Sequence, residues 1–425
     1  MALGIIFIGT VIFLSHFFFV LFERKKIPDV LPLVFLGLVI GPLFKFVTPA
    51  FFGKFGDIFV TVALVIILFQ SGLDLKLTIF KESLKSGTRL TLINFLVTFF
   101  VVAILACSLF KITFLEGLIL GSILGGTSSA VVIPLVRKLP LREQSRTALF
   151  LESTFSDVLC IVVTLALLQA FRYHNLNCGM MLGQIIASFS LAAAIGCSAA
   201  IFWSTALCKI REIQNGIFLS PAFVFIVYGI AELLGYSGAI AAFAFGLTLG
   251  NVQYFRRVVP KKALFISPVE FNEREKAFFG ELEFLLKTFF FVYIGISIKV
   301  NNQALLFGGL MLTIAVFIIR IPVIYLAMER ITARFDISII SAMVPKGLAA
   351  AVLAALPLRA GVPNGAIIQD IVYAVILFSI IFTGLLIILI ERKMLHSFYA
   401  LIFSSYSIGN EPAVITVDYK KKEKI

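Results

Sequence analysis

Residues 125–134 read Gly-Gly-Thr-Ser-Ser-Ala-Val-Val-Ile-Pro, inside an apolar stretch running from 115 to 136. A membrane span needs ~20 mostly apolar residues, and this stretch is that long. Its centre is a poor helix. Two glycines favour unwinding, three hydroxyls follow, and Pro134 removes a rung of the hydrogen-bond ladder. In hydrocarbon, freed backbone groups need partners or a water-filled cavity. Either the span breaks here and offers carbonyls to a cation, or the small residues form a packing seam with the hydroxyls bonded to their own helix. The stretch alone leaves both open.

The surrounding sequence sets the class. Of 425 residues, 60% are hydrophobic and 14% charged, with a mean hydropathy of +1.07. Soluble proteins have ~45–50% apolar and ~25% charged residues, so a soluble enzyme, a disordered chain and a nucleic-acid-binding domain are excluded. Thirteen spans can be marked: 1–22, 27–44, 56–73, 90–110, 115–136, 147–170, 180–207, 217–234, 236–252, 277–298, 304–328, 337–357 and 368–390. The start of the chain lacks a basic n-region and a small-residue cleavage site, so the first span is expected to be retained. Five cysteines without a CxxC spacing and three scattered histidines predict neither a metal cluster nor a disulfide framework nor a cofactor.

The net charge of +13 follows from topology. With the first span ending in the cytoplasm, 27 Lys and Arg fall on inner segments and six on outer ones. Lys287, Arg320 and Lys346 lie within spans and complete the 36. Basic residues collect on the cytoplasmic side, which puts the N-terminus outside and the C-terminus inside. That arrangement needs an odd number of spans.

Short patterns recur seven spans apart. Gly37-Leu38-Val39-Ile40-Gly41 ends the second span and Gly246-Leu247-Thr248-Leu249-Gly250 the ninth. Gly72-Leu73-Asp74-Leu75-Lys76 ends the third and Gly295-Ile296-Ser297-Ile298-Lys299 the tenth. Seven is odd, so the halves run oppositely through the membrane. The expected fold is therefore an all-α polytopic membrane protein of thirteen helices. Spans 1–6 and 8–13 form inverted repeats, as in secondary transporters, and spans five and twelve are broken.

The sixth span carries Glu152-Ser153-Thr154-Phe155-Ser156-Asp157. At ~100° per residue, Glu152, Ser153, Ser156 and Asp157 share one side of a helix. Asp157 lies ~15 Å from the cytoplasmic end, near the midplane. A carboxylate there is costly and is by default a functional group; the rival reading is a structural acid paired to a buried base. Arg320 in the eleventh span, ~12 Å deep, can reach Glu152, ~8 Å deep. Lys346, at ~13 Å, competes for the same partner. It lies in Val344-Pro345-Lys346-Gly347, a second helix-breaking sequence seven spans after the first. Other acids are less telling: Glu232, Asp57 and Asp370 lie near span ends, and Glu283 has Lys287 four residues on.

Together, residues 125–134, 152–157 and 344–352 (Val-Pro-Lys-Gly-Leu-Ala-Ala-Ala-Val) resemble the monovalent cation/proton antiporter superfamily. The match is to prokaryotic sodium/proton or potassium/proton exchangers of the electroneutral branch, over roughly 5–395. The resemblance implies thirteen helices, with broken helices five and twelve crossing at the ion site. The longest polar stretches are 253–276 and the end from about 403, so the chain reads as one membrane domain over 1–402 and a short basic cytoplasmic tail over 403–425, solvated or facing lipid. Core helices (about 90–170 and 304–390) would move against a dimerisation scaffold (about 1–73 and 180–298) in a homodimer. Asp157 would bind Na⁺ or K⁺ and H⁺ in turn, with Ser153, Ser156, Thr127 and Ser128 around the ion. Glu152 and Arg320 would be a structural ion pair, and Lys346 would compensate the break.

Three positions depart from the family pattern. Ser156 replaces an Asn or Asp, Thr127-Ser128-Ser129 replaces Thr-Asp-Pro, and Gln70 replaces a Glu. The last two remove carboxylates near the ion, leaving Na⁺ and K⁺ both open. The resemblance implies transport and pH homeostasis at a plasma membrane. The alternative is a gated potassium channel or uniporter without proton coupling. An intramembrane protease would need a second facing Asp, or a base beside Ser128 or Ser129, and the sequence offers neither.

The charge count makes a direct prediction. A reporter active only in the cytoplasm, fused after Ile425, should give signal in whole cells. A stable but silent fusion would overturn the odd span number.

Overall fold

The computed structural model describes residues 9–18, 28, 30–47, 49–74, 84–173, 178–211, 216–253, 271–300 and 302–407. Much of the basic charge counted above, around 23–26, 254–270 and the tail from 408, lies outside the described residues. The described chain is nearly all helical. Six of its helices are long and apolar enough to cross a membrane.

In chain order the helices are α1 (Gly9–Phe18), α2 (Val30–Leu38), α3 (Pro49–Asp74), α4 (Leu84–Phe110), α5 (Phe114–Leu124) and α6 (Ser129–Lys138). Then come α7 (Glu143–Tyr173), α8 (Cys178–Ile210), α9 (Leu219–Leu233), α10 (Gly238–Gly250) and α11 (Glu273–Ser297). The last are α12 (Gln303–Ala327), α13 (Arg334–Ala342), α14 (Leu348–Arg359), α15 (Gly365–Glu391) and α16 (His396–Ile402). Pro42 cannot donate to the ladder, and α2 continues as a π-turn over Val39–Leu43. Between α9 and α10 the chain turns at Gly235, whose φ of +80° favours a residue without Cβ. The eighth and ninth spans part at this turn.

Helices pack in two groups. One contains α4, α5, α6, α7, α12, α13, α14 and α15; the other contains α2, α3, α8, α9, α10 and α11. The groups touch where α3 and α11 meet α14, where α2 and α11 meet α15, and where α7 meets α8.

The second group is held by two glycine crossings that match atom for atom. At α2–α11, a Cβ on Gly37 would lie 2.1 Å from the Val292 carbonyl oxygen, and one on Gly295 would lie 2.2 Å from the Val34 carbonyl oxygen. At α10–α3, a Cβ on Gly246 would lie 2.0 Å from the Phe69 carbonyl oxygen, and one on Gly72 would lie 2.3 Å from that of Phe243. In each case the obstructing carbonyl is three residues before the facing glycine. Small residues let backbones touch, and close packing is what holds helices together in lipid.

The first group has its own matched contacts. Glu116, third residue of α5, accepts the backbone N–H of Asn364 at 3.1 Å, just ahead of α15. Asp336, third residue of α13, accepts the N–H of Arg142 at 3.2 Å, just ahead of α7. Each acid anchors the entry of a long helix from the opposite half of the chain.

The first residues of the expected basic tail are not polar surface: Phe403 and Tyr406 are buried and pack on Tyr325 near the end of α12.

Gly246→Ala should force α3 and α10 apart, costing ~1–3 kcal/mol or more for overpacking. Gly229 faces open space, so Gly229→Ala should be neutral or stabilising by up to ~1 kcal/mol. Thermal midpoints of detergent-purified variants check the pair; equal midpoints would refute the crossing.

Candidate functional site

α5 ends at Leu124 and α6 begins at Ser129, so residues 125–128 leave the helix. α13 ends at Ala342 and α14 begins at Leu348, so residues 343–347 do the same. The two breaks cross. The Ser128 N–H donates to the Pro345 carbonyl at 2.8 Å. A Cβ on Gly347 would lie 2.0 Å from the Ser128 Oγ, so only glycine fits against that hydroxyl. The Lys346 N–H donates to the Ser379 hydroxyl of α15 at 2.9 Å. Backbone groups released by the breaks thus find protein partners in the core.

Each break exposes helix ends, and charges meet them with the right sign. The C-terminal end of a helix carries partial negative charge and its N-terminal end partial positive charge. The buried Lys346 ammonium donates to the Gly126 carbonyl, just past α5, at 2.6 Å. Asp157 lies at the start of α6: its Oδ2 accepts from the Ser129 Oγ at 2.6 Å and the Ser129 N–H at 3.3 Å. Asp157 is half-buried. Among the described residues its Oδ1 has no hydrogen-bond partner, and Lys346 acts on the carboxylate through its charge.

The neighbouring hydroxyls divide the work. Ser156 binds the break itself. Its Oγ accepts the Thr127 N–H at 3.0 Å and lies 3.3 Å from the Thr127 Oγ1. Its proton has two carbonyls in reach, Ser153 at 3.2 Å and Thr127 at 3.3 Å. Ser153 donates to Phe150 within its own helix at 3.2 Å. Ser128 faces Gly347. Ser129, quoted in the sequence but not singled out there, is the hydroxyl on Asp157. As the first residue of α6 it has both its N–H and its hydroxyl free of the helix ladder, and that position is the signal that could have found it. Gln70, where the family pattern has Glu, donates to Asp74 at 3.1 Å and leaves Oε1 without a hydrogen bond.

Below the crossing, Arg320 is wholly buried and pairs with the equally buried Glu152. Its two terminal nitrogens meet the two carboxylate oxygens, Nη2–Oε2 at 2.7 Å. Nε and Nη2 also donate to the Ile340 carbonyl, each at 3.2 Å. Lys346, the rival partner in the sequence, goes to Gly126 instead. Among the described residues no group of three His, Cys, Asp or Glu could hold a metal. What the crossing offers is one carboxylate, hydroxyls and backbone carbonyls, an all-oxygen set.

A model described as sodium/hydrogen exchanger, transmembrane, matches residues 9–392. The chain belongs to the sodium/hydrogen exchanger family. One relative, Na(+)/H(+) antiporter 1 of Methanocaldococcus jannaschii, is 24% identical over 311 residues, covering 71% of this chain and 69% of that protein. Another, the K(+)/H(+) antiporter NhaP2 of Shewanella oneidensis, is 27% identical over 194 residues, covering 44% of this chain and 33% of its own length. The solved structure of the sodium proton antiporter MjNhaP1 from Methanocaldococcus jannaschii at pH 8 has the same fold. Its TM-score is 0.71 at 21% identity, over 90% of this chain and 99% of that one.

Removing one partner of a buried pair strands the other, at ~3–5 kcal/mol. Arg320→Ala should therefore reduce folded protein before it alters any ion affinity. The double change Glu152→Gln with Arg320→Gln should recover part of the loss. A double variant no more stable than either single one would separate the two residues.

Proposed function

We propose that this chain exchanges a monovalent cation, Na⁺ or K⁺, for H⁺ by alternating access, one for one. The observation that carries the reading is Asp157: a half-buried carboxylate at the crossing of two broken helices, held by Ser129 through one oxygen and open at the other. Such a group can take a proton or a cation but not both. Protonated Asp157 crosses one way and cation-bound Asp157 the other, while the bare carboxylate resists the apolar barrier. Thr127 and Ser156 shape the break beside it, and Ser153 and Ser128 are the reserve hydroxyls of the same site. The relatives' names, antiporters of Na⁺ or of K⁺ with H⁺, agree with this chemistry.

The reading includes a finer architecture of thirteen spans in two inverted repeats. It is supported by the matched glycine crossings and by the matched acid anchors Glu116 and Asp336. In both cases a contact in one half recurs with its partners seven spans on. The two packing groups support a division into a moving core and a scaffold, the latter dimerising. The charge count supports a plasma-membrane orientation with the C-terminus in the cytoplasm.

The test is flux in proteoliposomes, with Na⁺ and K⁺ assayed separately. Apparent cation affinity should weaken about tenfold per pH unit once pH falls below the carboxyl's own titration, because each bound proton displaces one ion. Asp157→Asn should fold and abolish exchange. An imposed voltage should not drive flux. Exchange retained by a folded Asp157→Asn protein would sink the site; a direct voltage response would sink only the one-for-one ratio.

A further inference from the structure

After Lys393, whose φ of 59° turns the backbone through the left-handed region, α16 leads into residues 403–407. This segment follows residues 9–392, which match the family. Tyr399 in α16 and Phe403 and Tyr406 just past its end are 8%, 0% and 2% exposed. So the segment has a partner.

That partner is the turn between α12 and α13. The Tyr325 ring lies 5.6 Å from Phe403 and 5.7 Å from Tyr406. The Arg330 guanidinium lies over both rings, 4.8 Å from the Tyr325 centroid and 5.0 Å from that of Tyr406, a cation–π contact with each. The backbone closes the contact: the Arg334 N–H donates to the Ser407 carbonyl at 3.0 Å, and the Ser407 N–H to the Arg330 carbonyl at 3.1 Å. The Arg334 side chain donates to the carbonyls of Tyr406 at 2.9 Å and Ser404 at 2.6 Å. A solvated tail would leave these groups to water; here they are paired with one target.

The contact continues inward. Tyr399 is buried in α16, which packs against α13. Within α13, Ile340 gives its carbonyl to Arg320. The half-helix that meets this segment therefore carries an acceptor of the buried ion pair and ends at the second break.

We infer that residues 396–407 are a positioning strap. They hold the half-helix α13 against α12 and, through α13, keep the ion pair and the second break in register, which makes this segment a control point for exchange. The control-point half rests on the exchange reading above; the mechanical half does not.

The experiment uses the full chain in lipid, with Tyr406→Phe, Arg330→Gln and a deletion of 408–425 beside the wild type. Amide hydrogen exchange over 337–343 reads the half-helix, and the KM for cation against maximal rate reads the site. Tyr406→Phe keeps the ring and loses one hydroxyl, which donates to the Ile324 carbonyl of α12 at 3.2 Å. It should speed amide exchange about three- to tenfold, the size of one lost hydrogen bond, and raise KM by a similar factor at unchanged maximal rate. Arg330→Gln should act in the same direction, and the deletion should do neither. Wild-type protection and wild-type KM in folded Tyr406→Phe would overturn the strap. A loosened half-helix with unchanged KM would overturn the control point alone. A deletion effect as large as those of the point variants would place control beyond 407 and overturn the assignment. If Arg330→Gln fails to fold, Tyr406→Phe decides. If the wild type exchanges nothing, the functional reading fails while amide exchange still judges the strap.

Discussion

A guanidinium buried among apolar helices must be surrounded by acceptors, because it stays charged in any protein environment. Arg320 meets this requirement with both oxygens of Glu152 and the Ile340 carbonyl. Three helices, α7, α12 and α13, are thereby fixed to one plane of atoms. A buried ion pair is weak as a source of net stability, since apolar residues of similar volume often do as well. Its strength is directional: the planar fork accepts one arrangement of its partners. Here that arrangement sets α7, which carries Asp157, relative to α13, which ends at the second break.

The breaks follow the same logic with partial charges. An unbroken helix satisfies its own backbone, and a broken one in lipid must find partners elsewhere. Crossing two breaks answers part of the need, since Ser128 donates to Pro345 across the contact. Ser156 and Ser379 supply hydroxyls from flanking helices. Lys346 answers the carbonyl end of α5, and the start of α6 answers Asp157. The carboxylate is left with one engaged oxygen and one open oxygen. Glu116 has both oxygens bonded, by Thr113 and Asn364, and is an anchor; Asp157 faces the crossing with an oxygen to spare.

Much of this was legible in the sequence, for physical reasons. Helix-breaking residues inside an apolar span have few roles in lipid, so Gly125-Gly126 and Pro345-x-Gly347 mark the breaks. Depth along a helix is arithmetic, and it brings Glu152 level with Arg320. Depth alone could not choose between Arg320 and Lys346, because both lie at similar levels. Azimuth decides, and azimuth across two helices is a property of packing. Which of three consecutive hydroxyls meets the carboxylate was hidden for a similar reason: the pattern names Ser128, and the helix restarts one residue later, which puts Ser129 on Asp157. The strap was illegible because a seven-residue helix has too little pattern to stand out from a polar tail.

The geometry also bears on stoichiometry. Whether Asp157 carries a proton or a monovalent cation, the site holds the same charge. The fixed charges of Glu152, Arg320 and Lys346 then contribute equally to both crossings and cancel from their difference. Net charge moved per cycle is set by how many groups change protonation. Of the carboxylates nearby, Glu152 is bound on both oxygens by Arg320, and position 156 is a serine whose hydroxyl is committed to Thr127. Lys346 and the buried Cys160 thiol are further titratable groups at the crossing; the Lys346 ammonium is hydrogen-bonded to Gly126, away from the open oxygen of Asp157, and the thiol faces Gly126. On the proposed reading Asp157 is the group that exchanges its proton for an ion, and that reading makes the cycle one-to-one.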